Sequence, residues 1–201
     1  MTLPLKRSVA LMSVTAVVLS LFLIAPTGAT AGVCGEFRWS IKSLADPDRR
    51  DIDFQIRRTM LGRLYGLEAP DSVTDDTPRI APHELRTYSV AARLVKGHIE
   101  GDGDVQFVVS VPGHPEQTIA VEFLAKRCME SRFHRRQMLG ARRKALAMCG
   151  PLSEGYTALR GRVRLVGVGF WGSPSHHEIG GAPNAFELIP VLNIRGTCRQ
   201  A

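Results

Sequence analysis

The sequence predicts a mainly β fold of the α+β class, with five strands curled into a barrel and one helix between the third and fourth strands. Three observations predict it. Three successive segments after Arg86 alternate apolar and more polar residues with a period of two. A helical segment stopped by Gly150-Pro151 follows them. Two further strands, rich in Val and Leu, then close the chain.

The first 31 residues read as a secretory signal peptide. Lys6 and Arg7 precede an uncharged apolar run from Val9 to Ile24, then Pro26 and the small-residue site Ala29-Thr30-Ala31. The run is 16 residues long, short of the roughly 20 that cross a bilayer. No transmembrane segment is expected after cleavage. Val33 stands before Cys34, where a lipid-attachment cysteine is usually preceded by a small residue. Removing residues 1–31 from the 201 leaves 170, enough for one domain with one core. The net charge falls from +7 to +5 with the loss of Lys6 and Arg7. That modest excess gives weak affinity for polyanions and does not diagnose a nucleic-acid binder.

Residues 32–85 read as a polar N-terminal extension with a short helix. Asp46-Pro47-Asp48 marks a turn. Thr59 is placed to cap a helix whose stripe is Met60, Leu61, Leu64 and Leu67, and Pro70 ends it. Residues 71–84 form a loop. The barrel is expected over 86–201. Its first strand carries Tyr88, Val90, Ala92 and Leu94. After the turn Gly101-Asp102-Gly103-Asp104, the second carries Val105, Phe107, Val109 and Val111. Pro112-Gly113-His114-Pro115 breaks the run, and Ile119, Val121 and Phe123 form the third strand. A helix over 131–148 follows, with Ser131 as its N-cap. The last two strands run from about Leu159 to Phe170 and from about Phe186 to Ile194. The order strand, strand, strand, helix, strand, strand is that of a five-stranded OB barrel.

Cys34, Cys128, Cys149 and Cys198 all follow the leader, and an even count in an exported chain favours disulfides. A helix between Cys128 and Cys149 holds its ends about 25 Å apart, beyond disulfide reach. Each of those two cysteines is therefore expected to pair with Cys34 or Cys198, tying the chain ends to the core. The spacing lacks the C-x-x-C of a zinc site.

Two stretches carry a resemblance. One is Cys34-Gly35-x-x-Arg38-Trp39-Ser40-Ile41-Lys42-Ser43-Leu44-Ala45-Asp46. The other is Gly167-Val168-Gly169-Phe170, followed by Gly181-Ala182-Pro183-Asn184-x-x-Glu187-Leu188-x-Pro190-Val191-Leu192. With Arg79-x-x-Pro82-x-Glu84 and Gly101-Asp102-Gly103-Asp104, they resemble a family of exported bacterial proteins of unknown function. That family has an R-W-x-V-K-T start and a G-V-G-F…A-P-N-x-I-E-L-H-P-V-L end. The resemblance implies export and brings no activity with it. Ile189 stands where the family often has His.

In an OB barrel, two loops flank the ligand face. Here they are the Asp102/Asp104 turn and the loop carrying His176, His177, Glu178 and Asn184. These six residues are the candidate ligand-binding edge. Carboxylates and imidazoles also suit a divalent metal that activates water, which makes a metal-dependent, nuclease-like hydrolase the alternative. Gly-Asp-Gly-Asp is equally ordinary hairpin chemistry. Arg63-Leu64-Tyr65-Gly66-Leu67-Glu68-Ala69-Pro70-Asp71 is similar to a stretch of thermonuclease-like enzymes. It precedes the Asp102 turn instead of following it, so the order differs. On the predicted helix, Arg132, Arg136 and Arg143 share a face that suits anions. Trp39 and Trp171 suit a core or a barrel end. No Ser-His-Asp, Cys-His or phosphate-loop spacing occurs in the sequence. The sequence thus favours an exported, non-catalytic binding module in the envelope or outside the cell. Its partner would be an unidentified ligand or an envelope protein, with nucleic acid disfavoured. This reading needs no cofactor; a divalent metal enters only under the hydrolase alternative.

Overall fold

The structure is a computed structural model that describes residues 34–35, 37–173 and 179–201. The predicted leader, residues 1–31, lies outside the described residues. Residues 31–201 form one compact unit, so the N-terminal extension and the strands that follow it belong together.

Two antiparallel hairpins join β2 (Arg86–Ile99), β3 (Val105–Val111) and β4 (His114–Phe123). The second hairpin turns on Pro112 and Gly113 alone, with Val111 paired to His114. The strand therefore resumes earlier than its apolar pattern shows, because His114, Pro115 and Glu116 are exposed and only the later residues turn inward. Helix α3 (Arg135–Cys149) follows and leads to β5 (Thr157–Trp171) and β6 (Phe186–Gly196). β5 runs antiparallel to both β2 and β6. β6 lies parallel to β4 through Val121 and Leu188. The strands β2, β3, β4, β6 and β5 thus form a ring of five. β1 (Asp53–Arg58) adds to β2 in parallel, and β7 (Arg199–Gln200) adds to β5.

The ring buries the residues whose alternation is visible in the sequence. Val90, Ala92 and Leu94 meet Phe107, Val109, Ile119, Val121, Leu165 and Leu188 in one apolar cluster. A second cluster packs Ile41 and Leu44 against Leu124, Met138, Phe170 and Ile189. It holds α1 (Trp39–Lys42) on the sheet.

Several local expectations change. β1 replaces part of the expected polar segment. α2 covers only Leu61–Tyr65 and has no side-chain cap; the Thr59 N–H donates instead to the Ser89 carbonyl at 3.1 Å. α3 begins at Arg135, after His134 in the left-handed region. Ser131 Oγ accepts the Phe133 N–H at 3.0 Å and closes a local turn ahead of the helix. All four cysteines are bonded, Cys34 to Cys128 and Cys149 to Cys198. This is one of the two pairings that an intact helix permits. Among the described residues no helix is long and apolar enough to cross a membrane.

Candidate functional site

The turn between β2 and β3 draws Asp104 inward. Its side chain is 1% exposed. Oδ1 accepts the Ala125 N–H at 2.5 Å, while the Asp104 N–H donates to Asp102 Oδ1 at 2.9 Å. Burial pushes the Asp104 carboxyl up to about 7, against the Ala125 hydrogen bond, with Asp102 and Glu122 adding to the rise. Carboxylate oxygens of Glu100, Asp104 and Glu122 lie within 4.8 Å of one another, as do the donor atoms of Asp102, Asp104 and Cys128. The Cys128 sulfur is bonded to Cys34 and offers no thiolate. Lys42 Nζ lies 3.2 Å from both Glu122 oxygens and brings one positive charge to this corner, where Arg142 also faces Asp104 and Asp102. Burial opposes that charge, but Glu122, Glu187 and Glu100 outweigh it and hold the ammonium above the ordinary lysine range.

Asn184 is buried and spends its amide on backbone. Nδ2 donates to the Leu64 and Leu67 carbonyls at 3.0 and 2.9 Å, and Oδ1 accepts the Phe186 N–H at 3.0 Å. It fastens α2 to the start of β6. His176, His177 and Glu178 lie outside the described residues. Of the candidate edge, the structure therefore brings together Asp102 and Asp104, and places Asn184 in a structural clasp. Arg136 and Arg143 are exposed on α3, whereas Arg132 precedes the helix and does not share its face.

A larger basic feature lies on the strands. β5 carries Arg160, Arg162 and Arg164 at alternate positions, between the buried Leu159, Val163 and Leu165. Period two sets all three on one face. Antiparallel pairing puts Arg162 directly opposite Arg93 of β2, and Arg164 directly opposite Arg195 of β6. Arg199 of β7 stands opposite Arg160. Gly161 makes that return possible, since a Cβ there would lie 2.0 Å from the Thr197 carbonyl oxygen. Arg58, at the end of β1, shares a cavity with Arg164 and Arg195. Like charges directly opposed across strands are destabilising. Among the described residues, none of these arginines forms an ion pair. Three cavities of about 290, 540 and 550 Å³ open along this face, and among the described residues no carboxylate lines any of them.

Two buried arginines elsewhere are paired with carboxylates. Arg38 meets both Glu84 oxygens at 2.6 and 2.7 Å and donates to the Thr77, Pro78 and Trp171 carbonyls. Glu84 also accepts the Ile80 and Trp171 N–H groups at 2.6 and 2.7 Å. Arg79 grips Asp46 in the same two-pronged way, at 2.9 and 2.6 Å. The Arg38–Glu84 pair locks the N-terminal extension to β5 at Trp171, and the Arg79–Asp46 pair ties the extension to itself. The arginine face is absent from the sequence-based expectations above, although Arg-x-Arg-x-Arg within an apolar strand is its visible signal.

No family model, curated protein or solved structure matches the chain.

Proposed function

We propose that this protein is a non-catalytic binding module that takes anionic ligands on the arginine face of β2, β5 and β6, after export to the envelope or beyond. The observation that carries the proposal is the direct opposition of Arg93 to Arg162, Arg164 to Arg195, and Arg160 to Arg199, with no carboxylate among them. In the free protein these pairs repel. An anion held between them turns that cost into attraction and releases its own counterions. Arginine suits the task, because its planar fork takes carboxylate, sulfate or phosphate through two parallel hydrogen bonds.

The surrounding architecture supports the same reading. The ring order, the parallel pairing of β4 with β6 and the position of α3 between β4 and β5 suit an OB-like barrel. Two disulfides suit an oxidising compartment and hence the leader read from residues 1–31. The resemblance to exported bacterial proteins belongs to this proposal as well. Arg38, Asp46, Arg79 and Glu84, which help to carry it, are buried in ion pairs, so those stretches mark the scaffold and not the ligand site.

Chromatography on immobilised heparin, a sulfated probe, tests the reading. The disulfide-bonded protein is expected to stay bound at near-physiological salt, and an R162E/R164E variant to elute at clearly lower salt. Elution of the native protein below about 0.15 M salt, or unchanged elution of the variant, overturns the proposal.

A further inference from the structure

We infer that the arginine face holds a linear acidic polysaccharide lying along β5, an inference that rests on the anion-binding reading and names its ligand class. The three cavities share walls. Arg164 and Arg195 line both the first and the second, and Arg93 and Arg162 line both the second and the third. Together they follow β5 from Val166 to Arg160. Six residue steps at about 3.3 Å each make a track roughly 20 Å long.

The chemistry of that track selects among polyanions. Its floor is small or apolar, with Ala91, Gly161, Val163 and Gly196 between the guanidinium groups. Among the described residues no aromatic side chain lines any of the three cavities. Single-stranded nucleic acid draws much of its affinity from stacking on aromatic rings; the described lining of these three cavities offers none, and Phe54, in the cavity adjoining at Val166, is already stacked on His134. A lipid surface is a plane, whereas three depressions in line fit a chain. Arg160, Arg162 and Arg164 recur about 6.6 Å apart along the strand, flanked on both sides by Arg93, Arg195 and Arg199. A chain bearing a carboxylate or sulfate at regular intervals meets a guanidinium fork at each step, and several weak contacts on one chain add into useful avidity.

The test uses the disulfide-bonded protein at near-physiological salt with four probes. They are galacturonate monomer, oligogalacturonates of increasing length, oligothymidylate, and vesicles of anionic phospholipid. Two variants accompany the native protein: R162E/R164E on the face and R136E/R143E on α3. The first variant is expected to fold, since it sets carboxylates opposite Arg93 and Arg195. Affinity for oligogalacturonate is expected to rise at least about tenfold from monomer to long oligomer. R162E/R164E should lower it at least about tenfold, and R136E/R143E should change it by less than about twofold. If oligothymidylate or vesicles bind more tightly than oligogalacturonate through Arg162 and Arg164, the polysaccharide inference falls and the anion-binding reading stands. Affinity independent of oligomer length has the same consequence. If no anion depends on Arg162 and Arg164, both fall.

Discussion

Arg38 commits its guanidinium to Glu84 and to three carbonyls on two separate segments, all within the protein. Removing one partner of such a buried pair strands the other charge, at a cost of about 3–5 kcal/mol. Arg38→Ala is therefore expected to lower stability by that amount in urea unfolding; a loss below about 1 kcal/mol contradicts the lock. Asp104 behaves in the opposite sense. Its folded-state pKa of about 7 lies above the ordinary value of 3.8. The native protein thus keeps this proton between about pH 4 and pH 7, where the unfolded chain has released it. The stability it contributes is complete below pH 4 and is lost as pH rises through 7. Asp104→Asn leaves an oxygen for the Ala125 N–H and carries no charge. It should gain on the native protein by about 1–3 kcal/mol on going from pH 5 to pH 8. A gap that stays constant between those pH values rules the burial account out. The sequence shows Asp104 as a turn residue. What it does not show is that Lys42 and Glu122 arrive from α1 and β4 to surround it, because burial of a turn depends on segments distant in the chain.

Among the elements, β5 determines the functional reading. Its outward arginines are legible from Leu159-Arg160-Gly161-Arg162-Val163-Arg164-Leu165, where period two separates charge from core. Their opposition to Arg93 and Arg195 is not legible, because register emerges only when strands pair. That opposition predicts a conflict between stability and binding. Arg162→Glu alone replaces a repulsive cross-strand pair with an attractive one, worth about 0.2–1 kcal/mol. The expected result is a thermal midpoint raised by up to about 4 °C, together with weaker retention on heparin. A lower midpoint contradicts the assigned register. Other elements escaped for related reasons. β1 is an edge strand whose last four residues are exposed, so burial leaves little pattern in Asp53-Phe54-Gln55-Ile56-Arg57-Arg58. Helix α3 starts late because Ser131 closes its own turn with Phe133 and does not cap the helix.

Across the molecule, strand alternation revealed the mainly β class, since Val90, Val109, Val121 and Leu165 all point into one core. Ring closure came from pairings far apart in sequence, β2 with β5 and β4 with β6. The cysteines illustrate the same boundary. Helix length excludes a bond between Cys128 and Cys149, yet only the fold shows that Cys34 joins Cys128 and Cys198 joins Cys149. The second bond fastens α3 beside β7, next to the cavity that Cys198 helps to line. The scaffold thus pairs Arg38 and Arg79 on the inside, while among the described residues the arginines of the β5 face form no ion pair. The most direct test is to record backbone amide NMR shifts while an acidic oligosaccharide is added. Changes concentrated at Arg93, Arg160 to Arg164, Arg195 and Arg199 are expected if the arginine face holds the ligand. Changes confined to the Asp102–Asp104 turn and Asn184, or to α3, would contradict that placement.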